Sequence, residues 1–214
     1  MHLLLGNRRY SSWSLRGYLA VKFAGLEVEE TVIPLFQEDT AAKIKAIAPD
    51  APARVPVLVT DQGDAVWDTL SIFEYAAEKS RKGPLWPKDE AARARARSIT
   101  AEMHSSFVPL RSVVPMNLAR VDEFEPLPDD VQADVDRIVQ IWTDCRAKYG
   151  SEGPFLFGKL SLADAAFAPV AVRFKSRSLP LPEVASAYID ALWALPDFVT
   201  WRELAEAEPW IIDQ

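Results

Sequence analysis

The chain has 214 residues, 49% of them hydrophobic, which is enough to bury a sizeable core in one large or two small domains. No apolar run is long enough to span a bilayer, and the formal charge of −7 comes without a basic stripe, so neither a membrane nor nucleic acid is expected as a partner. The single cysteine, Cys145, excludes an intramolecular disulfide, and with only His2 and His104 beside it there is no metal-ligand spacing, so a cytoplasmic protein without zinc is expected.

Met1-His2-Leu3-Leu4-Leu5 has no charged leader region and too short an apolar run for a secretory signal. Leu3 to Leu5 reads as a brief buried strand, and Gly6 to Tyr10 as a loop. From Ser14, the residues Leu15, Tyr18, Leu19 and Phe23 form one stripe of a helix, with Gly25 as its stop. Val28 to Leu35 is β-rich, Ala41 to Ala48 is a short helix ended by Pro49, and Val55 to Thr60 is a third strand. Asp61 to Asp64 is a turn into a fourth strand, Ala65 to Trp67, giving a hairpin. Helical spacing returns from Leu70 to about Arg81. The order is β-α-β-α-β-β-α: a parallel pair, an antiparallel closing hairpin, and helices on both faces of a small sheet.

Lys82 to Lys88 contains two prolines and a glycine and divides the chain. The expected organisation is an α/β domain over residues 1–81, a linker over 82–89 and an all-helical domain over 90–214. Residues 1–88 are charge-balanced, and the excess acid falls entirely beyond them. In the second part Ile99, Met103, Phe107 and Leu110 share one stripe, with Pro109 and Pro115 expected to bend or break that helix. Val131, Val135, Ile138, Trp142 and Cys145 form another, stopped by Gly150. Ser161-Leu162-Ala163-Asp164 fits a capping box opening a helix over Leu162 to Val172. Further helices are expected over Val184 to Leu195 and, briefly, after Pro196. Arg93, Arg95 and Arg97 alternate with alanines and read as a solvated helix face.

Ser11 and Ser12 fall where the first strand leads into the first helix. Unpaired N–H groups and the helix dipole favour an anion there, and a hydroxyl can either cap the helix or hold that anion.

Three segments, in order, resemble those of the glutathione transferases. They are Tyr10-Ser11-Ser12-Trp13-Ser14-Leu15-Arg16, similar to the serine signature of zeta and theta-like classes, Arg54-Val55-Pro56-Val57-Leu58, and Asp68-Thr69-Leu70-Ser71-Ile72-Phe73-Glu74-Tyr75. Gly158-x-x-Ser161-x-x-Asp164 is similar to that family's capping box. The resemblance implies a thioredoxin-like first domain, a helical bundle second, a homodimer, and glutathione as co-substrate.

Within that resemblance, Ser11 is the expected hydrogen-bond donor to the glutathione thiolate, with Ser12 next. The Val55-Pro56 bond is expected to be cis, leaving the Val55 backbone to pair with the cysteinyl unit. Asp68 and Thr69 are expected at the γ-glutamyl end and Arg54 at the glycyl carboxylate. Trp13, His104, Phe107, Arg111 and Met116 are expected to line the co-substrate pocket. The implied reaction is thiolate attack on a small hydrophobic electrophile. The alternatives are a zeta-type glutathione-dependent isomerase and a non-catalytic binding protein of the same fold. Trp13 stands where the zeta signature carries Cys, which counts against isomerase chemistry. No Cys precedes Cys145, which argues against the cysteine-based classes.

Overall fold

The computed structural model describes residues 1–212. The first half runs β1 (His2–Leu5), α1 (Ser12–Ala24), β2 (Glu29–Val32), α2 (Thr40–Ile47), β3 (Val57–Val59), β4 (Ala65–Trp67) and α3 (Thr69–Lys79). The sheet order is β2-β1-β3-β4, with β1 parallel to β2 and both β3 pairings antiparallel. This is the expected topology.

Alternation along β1 divides the core. Leu3 and Leu5 face α1 and α3, and join Leu15, Tyr18, Leu19, Ile72 and Phe73. Leu4 faces the other way and packs with Ile33, Ile44 and Val57 under α2. Two strands are shorter than their β-rich runs. Pro34 follows β2 and has no N–H for a ladder, and β3 begins only after the cis Val55-Pro56 bond. Gly17 brings α1 against that bond: a Cβ there would lie 2.9 Å from Pro56 Cγ.

The second half comprises α4 (Glu90–Ser105), α5 (Val108–Val113), α6 (Asp129–Tyr149), a 3-10 turn (Gly150–Glu152), α7 (Leu162–Ser176), α8 (Glu183–Trp193) and α9 (Pro196–Glu206). The stripe from Ile99 to Leu110 is therefore two helices. The break falls at Ser106-Phe107, where Phe107 has φ 60°, and Pro109 sits in the first turn of α5, where its missing N–H costs nothing. The last helix, α9, is longer than its sequence pattern suggests. α1 packs on α3 and on α7, so one apolar core runs from the sheet into the helical half.

The α7 start is a closed capping box. Asp164 is fully buried and accepts from the Ser161 N–H (2.8 Å) and hydroxyl (2.9 Å), the Leu156 N–H (3.2 Å) and the Tyr188 hydroxyl (3.0 Å). Burial pushes its carboxyl up to about 6 against those four donors, so it is ionised at neutral pH. No helix among the described residues is long and apolar enough to cross a membrane.

Candidate active site

A cavity of about 450 Å³ opens between the β3 and α3 starts on one side and α4 and α5 on the other. Arg54, Val55, Pro56, Asp68 and Thr69 form one wall; Trp13, His104 and Arg111 face them. Among the described residues the Val55 backbone has no hydrogen-bond partner, so its N–H and C=O are free for an extended ligand.

Asp68 caps α3 by accepting from the Leu70 N–H at 2.9 Å, with φ 66° and ψ 138°. That is an uncommon conformation for a residue with a Cβ, and such strain clusters at ligand clamps. His104, on α4, reaches across to the same pair. Its Nε2 lies 3.4 Å from Asp68 Oδ2 and its Nδ1 3.5 Å from Thr69 Oγ1. A carboxylate, a hydroxyl and a helix N-terminus thus converge at this end of the cavity, a setting for an ammonium and a carboxylate on one ligand.

At the start of α1 the two serines differ. Ser11 is buried and is the N-cap: its Oγ accepts from the Ser14 N–H at 3.3 Å and donates to Ser14 Oγ at 2.8 Å, which in turn accepts from the Gly6 N–H at 2.8 Å. Ser12 is the first helical residue and half-buried. Its Oγ accepts from Arg173 Nη2 at 3.5 Å, and its own proton is uncommitted. Trp13, the residue after Ser12, lines the cavity.

Three guanidiniums surround Trp13 and Ser12. Arg16 lies 4.6 Å and Arg111 5.0 Å from the Trp13 ring centroid, and the His104 ring meets the indole at 5.1 Å. Arg16 donates to the Ala166 carbonyl at 2.8 Å, Arg111 to the His104 and Ser106 carbonyls, and Arg173 to those of Arg111 and Val114. All three are held by carbonyl oxygens, and among the described residues none pairs with a carboxylate. Arg173 Nε is buried without a partner.

Burial lowers all three guanidinium pKa values. Mutual repulsion adds to the effect at Arg16 and Arg173, and Arg173 comes down to about 10. An arginine guanidinium keeps its charge in a folded protein, so a concentrated positive potential stands beside the α1 N-terminus.

Residues 10–79 match the family described as glutathione S-transferase, N-terminal domain. This segment is a glutathione S-transferase N-terminal domain. A probable maleylacetoacetate isomerase from Caenorhabditis elegans is 34% identical over 116 residues, covering 54% of this chain and 52% of that protein. The chain spans about half the length of the curated relatives it matches.

Across nearly the whole chain the fold is that of the glutathione transferases. A holo structure of maleyl pyruvate isomerase, described as a bacterial zeta-class glutathione S-transferase, superposes with TM-score 0.71 and 22% identity over 98% of this chain and 99% of that one. A maleylacetoacetate isomerase structure from Methylobacterium extorquens AM1, with bound malonate and GSH, gives TM-score 0.70 and 21% identity over 96% and 97%. The first half is thioredoxin-like and the second helical, as the sequence implies.

Phe107 and Met116 are not at the cavity. Both are buried in the core, Phe107 at the left-handed turn between α4 and α5 and Met116 in the segment after α5. Sequence reasoning missed Arg16, Arg173, Pro52 and Trp67. Arg16 was within reach, since it lies four residues after Ser12 on the same helical face. Arg173 gave only the signal of a lone cation at the end of an apolar run. Among the described residues no group of three or more His, Cys, Asp or Glu could hold a metal ion.

Proposed function

We propose that this chain is a glutathione-dependent enzyme whose bound thiolate attacks a small electrophile bearing a carboxylate. The observation that carries this reading is the cluster of Arg16, Arg111 and Arg173, three guanidiniums with no carboxylate partner beside a helix N-terminus. Such a cluster is costly to leave empty and favours an anionic occupant. It modifies the expectation of a purely apolar electrophile.

In this reading glutathione lies extended along Val55, with its γ-glutamyl end at Asp68, Thr69 and the α3 N-terminus, and its glycyl carboxylate toward Arg54. Its thiol, near 8.5 in a simple cysteine, is mostly protonated at neutral pH. The α1 N-terminus, the nearby guanidiniums and the uncommitted Ser12 hydroxyl favour the thiolate, while Ser11 holds the helix end in place. This stabilises an anion and requires no base, because serine is too weak a base for the task. The thiolate adds to an electrophilic carbon, and an arginine holds the acid's carboxylate.

If the electrophile is an activated cis double bond, addition creates a single bond that can rotate. Elimination then returns the thiolate and the trans acid, and no glutathione is consumed. The relatives named maleylacetoacetate isomerase support this form of the reaction. Conjugation is the second reading, favoured by Trp13 in place of the zeta signature's Cys.

The deciding experiment compares maleylacetoacetate with the neutral 1-chloro-2,4-dinitrobenzene, each with glutathione. The acid should be turned over with the larger kcat/KM, and malonate should inhibit competitively against it. Faster turnover of the neutral halide, with no inhibition by malonate, would overturn the carboxylate assignment.

A further inference from the structure

The loop between β1 and α1 belongs to the sheet-bearing half, yet the helical half holds its backbone. The Arg8 N–H donates to Glu208 Oε1 at 2.9 Å and the Arg9 N–H to Glu208 Oε2 at 3.5 Å. The Arg8 carbonyl accepts from Trp201 Nε1 at 3.1 Å, and the Arg9 carbonyl from the Leu118 N–H at 3.2 Å. Every backbone polar group of these two residues is therefore bonded to the helical half.

The tether is reciprocal. The Arg9 guanidinium donates to the carbonyls of Ala205 (3.3 Å), Glu206 (3.2 Å) and Glu208 (3.3 Å), capping the end of α9. Glu208 is buried, and its charge is matched by Arg8 at 3.7 Å, which also pairs with Glu30 at 3.0 Å. The Trp201 ring packs on Tyr18 of α1, with centroids 4.8 Å apart.

Two residues beyond Arg9 comes the α1 cap. The Asn7 carbonyl closes the turn by accepting from the Tyr10 N–H at 3.1 Å and the Ser11 N–H at 2.8 Å. A shift at Arg8 and Arg9 therefore passes through one tight turn to Ser11 and Ser12.

We infer that Glu208 is a positioning residue for the anion-holding end of α1: through two adjacent backbone amides, the segment after α9 sets where the Ser11-Ser12 turn stands. This rests on the reading of the α1 N-terminus as the thiolate site. A carboxylate suits the task because both of its oxygens accept, and each amide takes one. Glutamine has nearly the same shape but turns an NH2 donor toward one of the two N–H groups.

The test uses the full chain and Glu208→Gln, with Glu203→Gln on the exposed side of α9 as control. Three quantities are measured: the ultraviolet titration of bound glutathione thiol, kcat and KM per folded molecule, and amide hydrogen exchange at Tyr10 to Ser12. Glu208→Gln should raise the thiol midpoint by about half a unit to one unit and speed exchange at those amides. The kcat should fall by about tenfold with glutathione KM unchanged, because the Val55 and Asp68 walls do not move. The control should match the parent chain.

A merely structural Glu208 would lower the melting temperature and leave midpoint, kcat and exchange at parent values, and that result overturns the inference. If Glu208→Gln does not fold, Arg9→Met loosens the same tether from its other side. It should shift all three readouts in the same direction by less, and unchanged readouts there also overturn it. A parent chain that binds no glutathione, or leaves its thiol near 8.5, defeats the proposed function instead. The exchange at Tyr10 to Ser12 then still decides whether Glu208 positions the turn.

Discussion

Two helices in this protein begin alike and end up with different chemistry. α1 opens Ser11-Ser12-Trp13-Ser14 and α7 opens Ser161-Leu162-Ala163-Asp164, each with a serine cap and a polar residue three positions on. At α7 that residue is a carboxylate, and its four donors close the helix end with an internal anion. At α1 it is a hydroxyl, and the first turn contains no acid. The α1 dipole and the nearby Arg16, Arg111 and Arg173 are left without a negative partner from the described chain. One carboxylate separates a structural start from one open to an outside anion.

The largest effect should come from opening the closed end. Asp164→Ala strands four buried donors, and urea denaturation should show a loss of about 3 kcal/mol or more. An unchanged midpoint would mean that the box does not hold α7.

Closing the open end is the converse. Ser14→Asp places a carboxylate in the first turn of α1, where it competes with any bound thiolate. The thiol midpoint of bound glutathione should rise by about one to two units, and because Ser14 is fully buried the larger charged side chain should also cost stability. A folded variant with an unshifted thiol titration would break the comparison.

Next is Arg173→Met. Losing one charged hydrogen-bond donor, worth about 1.5–3 kcal/mol, should raise KM for the carboxylate substrate by at least about tenfold. Glutathione affinity should fall far less than that, since its Val55, Asp68 and Thr69 contacts remain, and calorimetry with glutathione alone checks that second half.

The serines give the smallest and most discriminating change. Ser11→Ala should cost about 1 kcal/mol of stability as a lost cap, with the thiol titration little moved. Ser12→Ala should leave stability nearly unchanged and raise the thiol midpoint. The opposite pattern would return the donor role to Ser11, where the family resemblance places it.

The wall formed by Val55, Pro56, Asp68 and Thr69 was implied by the family resemblance, whereas the sequence's own patterning determined the order of strands and helices and both serine-capped helix starts. Those features rest on alternation, helical periodicity, capping and turn chemistry, which act over a few neighbouring residues. Only the tertiary structure decided the rest. It turned Phe107 and Met116 into the core, and gathered Arg16, Arg111 and Arg173 around Trp13 and Ser12. It also set Glu208 against Arg8 and Arg9. Arg16 meets a carbonyl 150 residues away, Arg173 meets a hydroxyl 161 away, and Glu208 meets an amide 200 away. No local pattern encodes such pairs, because each depends on how α7 and α9 dock on α1, and that docking follows from burying apolar surface over the whole molecule.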